Sequence, residues 1–450
     1  MSVTARTPAL LRDQAAAVLR GNDAGSWTKA SPHLYPHQWS WDSAFNAIGW
    51  AHLDVRRAMV ELEGLFAAQW STGMVPHVVF RAGPGEPYFP GPEWWNCVSV
   101  PAAPAPPVRT TGICQPPVHA LALLRIWQLT PEAQRPEIRA RLQALYPRLV
   151  KWHRYLATQR DPEASGLVTI YHPWEATDNS PRWDNALARI EAMHGPYTRL
   201  DTSEVGDPSE RPTDWDYDRY LRLVGLLRKY QYDDAQIYRQ YPFLIKDVFF
   251  SAVLVAANTA LLDLAGVARA SDEDRGQLAR WLDRGREGLA RCFDAESGLC
   301  LDYDVRAGEQ IRLRTFAGFA PLFARTADVG RRATQMRLLD SRDFCGDPRM
   351  RWPLLPSTGP AEPVFEPRNY WRGPVWPVIN WLLWYSLSQL GYFGRADELR
   401  RDSLSQIAAA GEFAEYFEPF TGEPLGSPQQ SWTAAVALDW LASDHGSEAS

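Results

Sequence analysis

The chain has few cysteines, and they show no regular arrangement. Five cysteines are scattered over 450 residues, their number is odd, and no C-x-x-C motif joins any two of them. A disulfide framework or a structural zinc site would need repeated, characteristic spacing, so the sequence argues against both. Free thiols fit a reducing compartment, and we expect a cytoplasmic protein.

Clusters of basic residues are also missing. The 47 Lys and Arg residues are outweighed by 53 Asp and Glu residues, which gives a formal net charge of −6. Domains that bind nucleic acids usually carry a basic stripe or patch. We therefore expect no nucleic-acid partner.

Long uncharged apolar runs are absent as well. Residues 1–20 carry Arg and Asp within a helical pattern and lack the apolar core of a secretory signal. The most apolar stretch, 248–264, includes Ser251, Asn258 and Asp263 and is shorter than the ~20 residues that usually span a bilayer. We expect no membrane partner and predict a buried helix at this stretch.

Several catalytic and binding motifs do not occur. Residues 83–87 (GPGEP) do not form a phosphate loop, because the chain has no G-x-G-x-x-G or G-K-[ST] pattern. No G-x-S-x-G nucleophile elbow is present. His33 and His37 are four residues apart, but Pro36 would break the helix that such a metal pair needs. The sequence predicts neither a cofactor nor a metal site.

Aromatic residues, by contrast, are abundant. The chain has 20 Trp, 17 Tyr and 17 Phe residues. Most should belong to a large core, but several Trp residues stand beside Pro, Gly, Asp or Arg in turn-like segments. We expect those residues to line a cleft.

Helical periodicity dominates the rest of the pattern, and extended runs occur only at 166–171 and 299–304. The absence of strand–helix alternation argues against a parallel sheet, so the predicted class is all-α. Apolar residues at three- and four-residue spacing predict helices at 10–20, 42–53, 54–70, 117–129, 136–159, 217–230, 247–264, 272–293, 328–339, 374–390, 396–409 and 431–442.

Short turns and long loops rich in Pro, Gly and Trp alternate between these helices. The long loops lie at 25–41, 73–116, 161–216, 339–373 and 410–430. Loops of this length within a compact domain are usually functional. An α/α toroid would place paired helices in two rings and the loops at one mouth. We expect 1–450 to form a single domain, with loops at about 73–116 and 161–216 as cap and lid.

Two loops combine carboxylates with aromatic rings: 174–184 (WEATDNSPRWD) and 412–420 (EFAEYFEPF). Aromatic faces stack on sugars, and a pair of carboxylates serves as acid and base in glycoside hydrolysis. One catalytic carboxylate on each loop would make a glycosidase. The pattern does not choose among the candidates, because most such carboxylates cap helices or pair with Arg. They are Glu175, Asp178, Asp184, Glu412, Glu415, Glu418 and Glu423.

Four blocks resemble glycoside hydrolase family 63: 34–42 (LYPHQWSWD), 174–184, 369–377 (NYWRGPVWP) and 415–423 (EYFEPFTGE). They occur in the family's order and span most of the chain. The chain is most similar to the small bacterial branch that hydrolyses mannosylglycerate and glucosylglycerate. That branch also shares 115–119 (QPPVH), Arg211-Pro212 and 217–220 (YDRY).

The resemblance implies an (α/α)6 barrel and an inverting mechanism, with Asp178 as general acid and Glu415 as general base. It implies a small anionic sugar–glycerate substrate, whose carboxylate Arg211 would bind. The resemblance assigns the other substrate-binding positions to Tyr35, Trp39, Asp42, Tyr88, Gln115, Glu175, Tyr217, Tyr370, Trp371, Trp376 and Gln430. Glu175 is expected either to bind a hydroxyl group or to support neighbouring residues.

Several alternatives stay open. Arg211 could instead form a surface salt bridge with Glu204, Asp207 or Glu210, and Trp376 could be a core residue. The enzyme could be an α-glucosidase or trehalase-like hydrolase of a neutral disaccharide. The chain could also be a sugar epimerase that uses His, or a sugar-binding protein without activity. The sequence separates neither mannosyl from glucosyl substrates nor a monomer from a homo-oligomer.

Overall fold

The structure is a computed structural model that describes residues 7–81, 88–175, 177–326 and 328–443. Both ends of the predicted 1–450 domain, the 83–87 stretch and Ala176 of the first carboxylate loop lie outside the described residues.

Within the described residues, twelve helices account for the main body of the fold. In chain order they are α1 Pro8–Gly21, α2 Ser40–Ala51, α3 Val55–Ala67, α4 His119–Leu129, α5 Arg135–Thr158, α6 Val248–Ala268, α7 Asp272–Arg291, α8 Ala320–Phe323, α9 Val329–Leu339, α10 Pro377–Gln389, α11 Phe393–Ala410 and α12 Ser431–Ala442. All but the short α8 were predicted from periodicity, with ends that differ by a few residues.

The even-numbered helices form a closed inner ring. Each of α2, α4, α6, α8, α10 and α12 contacts the next, and α12 returns to α2. The odd-numbered helices form an outer ring: α1 packs on α12 and α2, α3 on α2, α5 on α4 and α6, α7 on α6, α9 on α8 and α11 on α10. This arrangement confirms the predicted (α/α)6 barrel.

Residue patterns explain which helix lies in which ring. Helix α6 is apolar on all sides and is buried along nearly its whole length, as an inner helix must be. Helix α7 is amphipathic, because its buried residues recur at three- and four-residue spacing from Leu278 to Leu289. Ser271 caps its start by accepting a hydrogen bond from the backbone of Asp274 at 3.1 Å.

One helix in the described part of the chain, Val248–Ala268, is long and apolar enough to cross a membrane by length and composition alone. In the fold it is α6, and 83% of its most apolar 18-residue stretch is buried inside the barrel. The predicted buried helix at 248–264 therefore belongs to the inner ring.

The connections differ sharply at the two ends of the barrel. Short turns lead from each inner helix to the next outer helix, whereas each long connection leads from an outer helix to the start of the next inner one. The long connections are 22–39, 68–118, 159–247, 292–319, 340–376 and 411–430. The amino-terminal ends of the inner helices therefore share one mouth with all the long loops.

The long connections contain smaller elements. Four further helices are Pro92–Trp95, Asp184–Ala188, Asp214–Lys229 and Asp234–Gln240. A four-stranded antiparallel sheet has the order Thr169–Ile170, Ile245–Lys246, Asp302–Asp304 and Glu309–Ile311. Two-residue strands pair Gln38–Trp39 with Val78–Val79, Phe293–Asp294 with Leu299–Cys300, and Tyr416–Phe417 with Pro424–Leu425.

Two details of this region differ from the sequence predictions. The helix expected at 217–230 begins earlier, at Asp214, because Thr213 and Asp216 form a capping box. The sheet also includes Ile245–Lys246 and Glu309–Ile311, which the sequence pattern did not predict. Strands of two or three residues are too short to show alternation, and only their pairing with other strands identifies them.

Candidate active site

A cavity of about 310 Å³ opens at the mouth where the long loops gather. Its walls come from five of the six long connections and from the first turns of α2 and α12, counted over the described residues. Twelve of the fourteen predicted site residues line it: Tyr35, Trp39, Asp42, Tyr88, Gln115, Asp178, Arg211, Tyr217, Tyr370, Trp371, Glu415 and Gln430.

Asp178 lies on the first carboxylate loop and faces the cavity. The Tyr220 hydroxyl fixes the backbone at this position by donating to the carbonyl of Asp178 at 2.9 Å. Burial raises the pKa of Asp178 to about 7, although the Arg211 charge opposes this rise and Glu415 adds to it. Asp178 can therefore hold a proton near neutral pH, as a general acid must.

Glu415 reaches the same cavity from the loop before α12, and it is almost fully buried. Its Oε1 accepts hydrogen bonds from the hydroxyls of Tyr35 at 3.0 Å and Tyr370 at 3.1 Å. Its Oε2 accepts from the backbone of Ser427 at 3.3 Å and lies 3.6 Å from Arg211 Nη1. Burial raises the pKa of Glu415, while the Arg211 charge and these hydrogen bonds act to lower it. These neighbours favour the ionised form that a base requires.

Tyr370 has an uncommon backbone conformation. Its φ of +43° lies in the left-handed region, which is unfavourable for a residue with a Cβ atom. Its ring lies under the Arg211 guanidinium, whose central carbon is 4.0 Å from the ring centroid. Strained backbone of this kind occurs at sites where the surroundings enforce it. Here the conformation brings the Tyr370 hydroxyl to Glu415.

Arg211 is buried at the cavity wall, with 4% of its surface exposed. Its Nη2 donates to the Tyr35 hydroxyl at 2.8 Å, and its Nε lies 3.6 Å from an Asp201 carboxylate oxygen. The Nε–H and Nη1–H groups make no hydrogen bond within the described part of the chain. The alternative of a surface salt bridge with Glu204, Asp207 or Glu210 is wrong, because the guanidinium turns inward toward Asp201 and Glu415.

Polar groups also line the cavity at the first turn of α2. Asp42 is buried there, and burial raises its pKa well above the ordinary value. Gln115 is held by the backbone of Trp41, which donates to its Oε1 at 3.2 Å. The buried Oε1 of Gln430 has no hydrogen-bond partner among the described residues. These groups are suited to form hydrogen bonds with hydroxyl groups, as acceptors through their oxygens and as donors through the amide nitrogens.

Two predicted substrate-binding residues do not line the cavity. Glu175 is fully buried behind it, where it pairs with Arg160 at 2.5 Å and accepts from the backbone of Cys114 at 2.9 Å. This pairing lowers the pKa of Glu175 and occupies its oxygens, so the carboxylate anchors the loop. Trp376 stacks on the rear of Trp371 with ring centroids 3.7 Å apart, which makes it a core residue.

The remaining carboxylate candidates are outside the cavity wall. Asp184 binds Arg372 through both oxygens at 2.9 Å, and Glu423 pairs with Arg368 at 2.6 Å. Glu418 accepts from the Thr421 hydroxyl at 2.7 Å. Glu412 is half-buried on the loop before α12 and does not line the cavity. The fold thus separates these carboxylates from Asp178 and Glu415, which line the cavity.

Sequence reasoning missed several residues of the wall. Trp41, Trp174 and Trp432 line the cavity, and so do Asp201 and His77. The first two lie inside the family-like blocks, so their position in the blocks was a usable signal. Burial lowers the pKa of His77 to about 3, which keeps its ring neutral. Among the residues that the structure describes, no group of three or more His, Cys, Asp or Glu side chains is suited to a metal ion.

Comparison with known proteins shows which family the chain belongs to. The family described as "Mannosylglycerate hydrolase MGH1-like glycoside hydrolase domain" matches residues 35–433. The chain belongs to this family. It is therefore a glycoside hydrolase, which sets aside the epimerase and the inactive sugar-binding protein.

Relatives of this MGH1-like glycoside hydrolase match it almost from end to end. It is 45% identical to the glucosylglycerate hydrolase of Mycolicibacterium hassiacum, over 97% of this chain and 98% of that protein. It is 43% identical to the mannosylglycerate hydrolase of Thermus thermophilus, over 95% and 99% of the two chains.

A solved structure matches equally well. The crystal structure of the family 63 mannosylglycerate hydrolase from Thermus thermophilus in complex with Tris and D-glycerate has a TM-score of 0.87 and 41% identity. The match covers 96% of this chain and 99% of that one. Neutral trehalase from Saccharomyces cerevisiae matches with a TM-score of 0.55 at 17% identity, which shows a shared fold alone.

Proposed function

We propose that this enzyme hydrolyses 2-O-α-glycosylglycerates, with mannosylglycerate and glucosylglycerate as substrates, to the free sugar and D-glycerate. The observation that carries the proposal is one cavity that combines Asp178, Glu415 and a buried Arg211 with two free N–H groups. The relatives that match nearly the whole chain are hydrolases of these two compounds.

Asp178 serves as the general acid in this proposal. Its pKa of about 7 keeps a large fraction protonated at neutral pH, so it can protonate the glycosidic oxygen as the bond breaks. Burial is the main cause of this raised pKa, so the protonated form of Asp178 depends on its side chain staying shielded from solvent.

Glu415 serves as the general base. An ionised Glu415 would accept a proton from a water molecule that attacks the anomeric carbon opposite the leaving group, which inverts the configuration. Tyr35 and Tyr370 both donate to Oε1 and the Ser427 backbone donates to Oε2, which leaves one lone pair of Oε2 for that water. The two phenols thus orient the base.

Arg211 binds the carboxylate of glycerate. Its Nε–H and Nη1–H groups make no hydrogen bond within the described part of the chain, and a buried guanidinium is suited to bind a carboxylate through charge-assisted hydrogen bonds. Tyr88 and Tyr217 line the same cavity and supply hydroxyls. At the sugar end, Asp42, Gln115 and Gln430 would bind hydroxyl groups, while Trp39 and Trp371 would contact the sugar ring.

Arg211 also distinguishes this proposal from a trehalase-like hydrolase. A neutral disaccharide offers no anion to the Nε–H and Nη1–H groups of Arg211, which make no hydrogen bond within the described residues, and buried donors without a hydrogen bond are unfavourable. The cavity therefore favours a leaving group that carries a negative charge.

The test is release of free sugar and glycerate by the purified enzyme. Mannosylglycerate and glucosylglycerate should both be cleaved, and competition between them gives the ratio of their kcat/KM values. Trehalose at the same concentration is the control and should not be cleaved. Cleavage of trehalose but of neither glycosylglycerate would overturn the proposal.

Three expectations stay predictions. The loops at 73–116 and 161–216 provide cavity residues, and closure of these loops over bound glycerate would be detected as protection from proteolysis. Five buried free cysteines support a reducing cytosolic location. A homo-oligomer would be detected from the mass in solution.

A further inference from the structure

The residue that follows Asp178 joins two loops of the candidate site. Asn179 is buried, with 3% of its surface exposed. Its Oδ1 accepts from the backbone N–H of Trp371 at 2.9 Å, and its Nδ2 donates to Asn369 Oδ1 at 2.6 Å. A backbone N–H can only donate, so the amide oxygen must face Trp371 and the orientation of Asn179 follows.

The two residues bound by Asn179 flank Tyr370. Tyr370 is the residue with a φ of +43°, and its hydroxyl donates to Glu415. Such a backbone conformation persists only where its surroundings hold it. The Asn179 amide provides part of that hold, because it fixes the residue on each side.

We propose that Asn179 is a positioning residue that fixes the distance between Asp178 and Glu415. It is covalently adjacent to Asp178, and through Asn369 and Trp371 it holds Tyr370 against Glu415. A shift at Asn179 would therefore move the acid and the base relative to each other. The inference rests on the proposed function, in which these two carboxylates are acid and base.

The same two loops offer a matched control. Arg372 binds Asp184 through two contacts of 2.9 Å, and this ion pair is at a more exposed position, six residues beyond Asp178. The Asp184→Asn substitution weakens this link between the loops and leaves in place the Arg372 side chain, which also donates to the Asn179 backbone carbonyl at 3.4 Å. If the links were merely structural, its effect on the reaction would equal that of a substitution at Asn179.

The experiment compares kcat and KM for glycosylglycerate hydrolysis. Asn179→Ala should lower kcat by about 10- to 100-fold, because misplacement of reacting groups by ~1 Å has effects of this size. KM should change by less than about threefold, since Asn179→Ala removes none of the side chains proposed to bind the substrate. Asp184→Asn should retain kcat within about twofold.

A second variant covers the case in which Asn179→Ala does not fold. Asn369→Ala, at a half-buried position, removes the partner of the Asn179 Nδ2 group together with a hydrogen bond to Glu366, and kcat should fall by about 3- to 10-fold. If the wild-type enzyme is active and the Asn179→Ala and Asn369→Ala variants keep its full kcat, this inference is wrong while the proposed function stands. Equal losses of kcat in Asp184→Asn would also overturn it. A wild-type enzyme inactive on every glycosylglycerate would overturn the proposed function as well.

Discussion

Arg211 is the residue whose replacement tests the proposed substrate most directly. We expect Arg211→Ala to lower kcat/KM for glycosylglycerate, because the substrate carboxylate would be buried without a cation. Truncating one partner of a buried charged pair usually costs about 2–5 kcal/mol, which corresponds to roughly 30- to 5000-fold. The burial of Arg211, with 4% of its surface exposed, justifies the use of values for buried pairs.

The same substitution perturbs the base, and the assay must separate the two effects. Arg211 Nη1 lies 3.6 Å from Glu415, and Coulomb's law gives about 1–5 kcal/mol for an effective dielectric constant between ~80 and ~20. Loss of this cation raises the pKa of Glu415 further. The acidic limb of the pH–rate profile should therefore move to higher pH.

A neutral substrate isolates the carboxylate contact. Glycosylglycerol has a CH₂OH group where glycosylglycerate has its carboxylate, so the Glu415 effect is the same for both substrates. The wild-type enzyme should prefer the glycerate, and Arg211→Ala should reduce that preference by at least about 30-fold in this substrate–enzyme cycle.

A second arginine supplies the control. Arg199 lies 3.9 Å from the Tyr217 ring centroid and pairs with Asp201 at 2.7 Å, but it does not line the cavity. Arg199→Ala should therefore keep the wild-type preference. If Arg211→Ala also kept the preference for glycosylglycerate over glycosylglycerol, Arg211 would not bind the glycerate carboxylate and the proposed role would be wrong.

Three further predictions concern the carboxylates. Asp178→Asn should lower hydrolysis of glycosylglycerate by at least about 10³-fold but spare α-glycosyl fluoride, whose leaving group needs no proton, whereas Glu415→Gln should lose both activities in steady-state assays. On the alkaline side of the pH profile, kcat/KM should fall with a midpoint near pH 7, because Asp178 with a pKa of about 7 loses its catalytic proton as the pH rises through that value. A midpoint two pH units higher would contradict this assignment. Glu175→Gln removes the shorter ion pair of the buried Arg160, which keeps a 3.5 Å contact with Asp234, so the free energy of unfolding measured with urea should fall by about 3 kcal/mol, and an unchanged value would contradict the anchoring role.

Local patterns were sufficient for the helices and for the loops that hold the site. Apolar spacing along the chain reflects which faces are buried, so the paired helices, including the largely apolar α6, were predicted with nearly correct ends. The resemblance of four blocks also identified Asp178 and Glu415 among seven candidate carboxylates, and both line the cavity.

Contacts between distant segments could not be read from the same patterns. Glu175 lies three residues before Asp178 and has the same local signals, yet its partner Arg160 removes it from the cavity. Trp376 and Trp371 belong to one block, but stacking places one ring behind the other. Arg211 has acidic neighbours in sequence, while its actual partners are Asp201 and Glu415.

The physical reason is the range of the forces involved. Helix formation and the apolar periodicity of each helix depend on residues three or four positions apart, so the amino-acid order specifies them. Burial of a carboxylate, its pKa and the direction of a guanidinium depend on atoms brought together from loops hundreds of residues apart. Those properties arise only when the inner ring closes and gathers its long loops at one mouth.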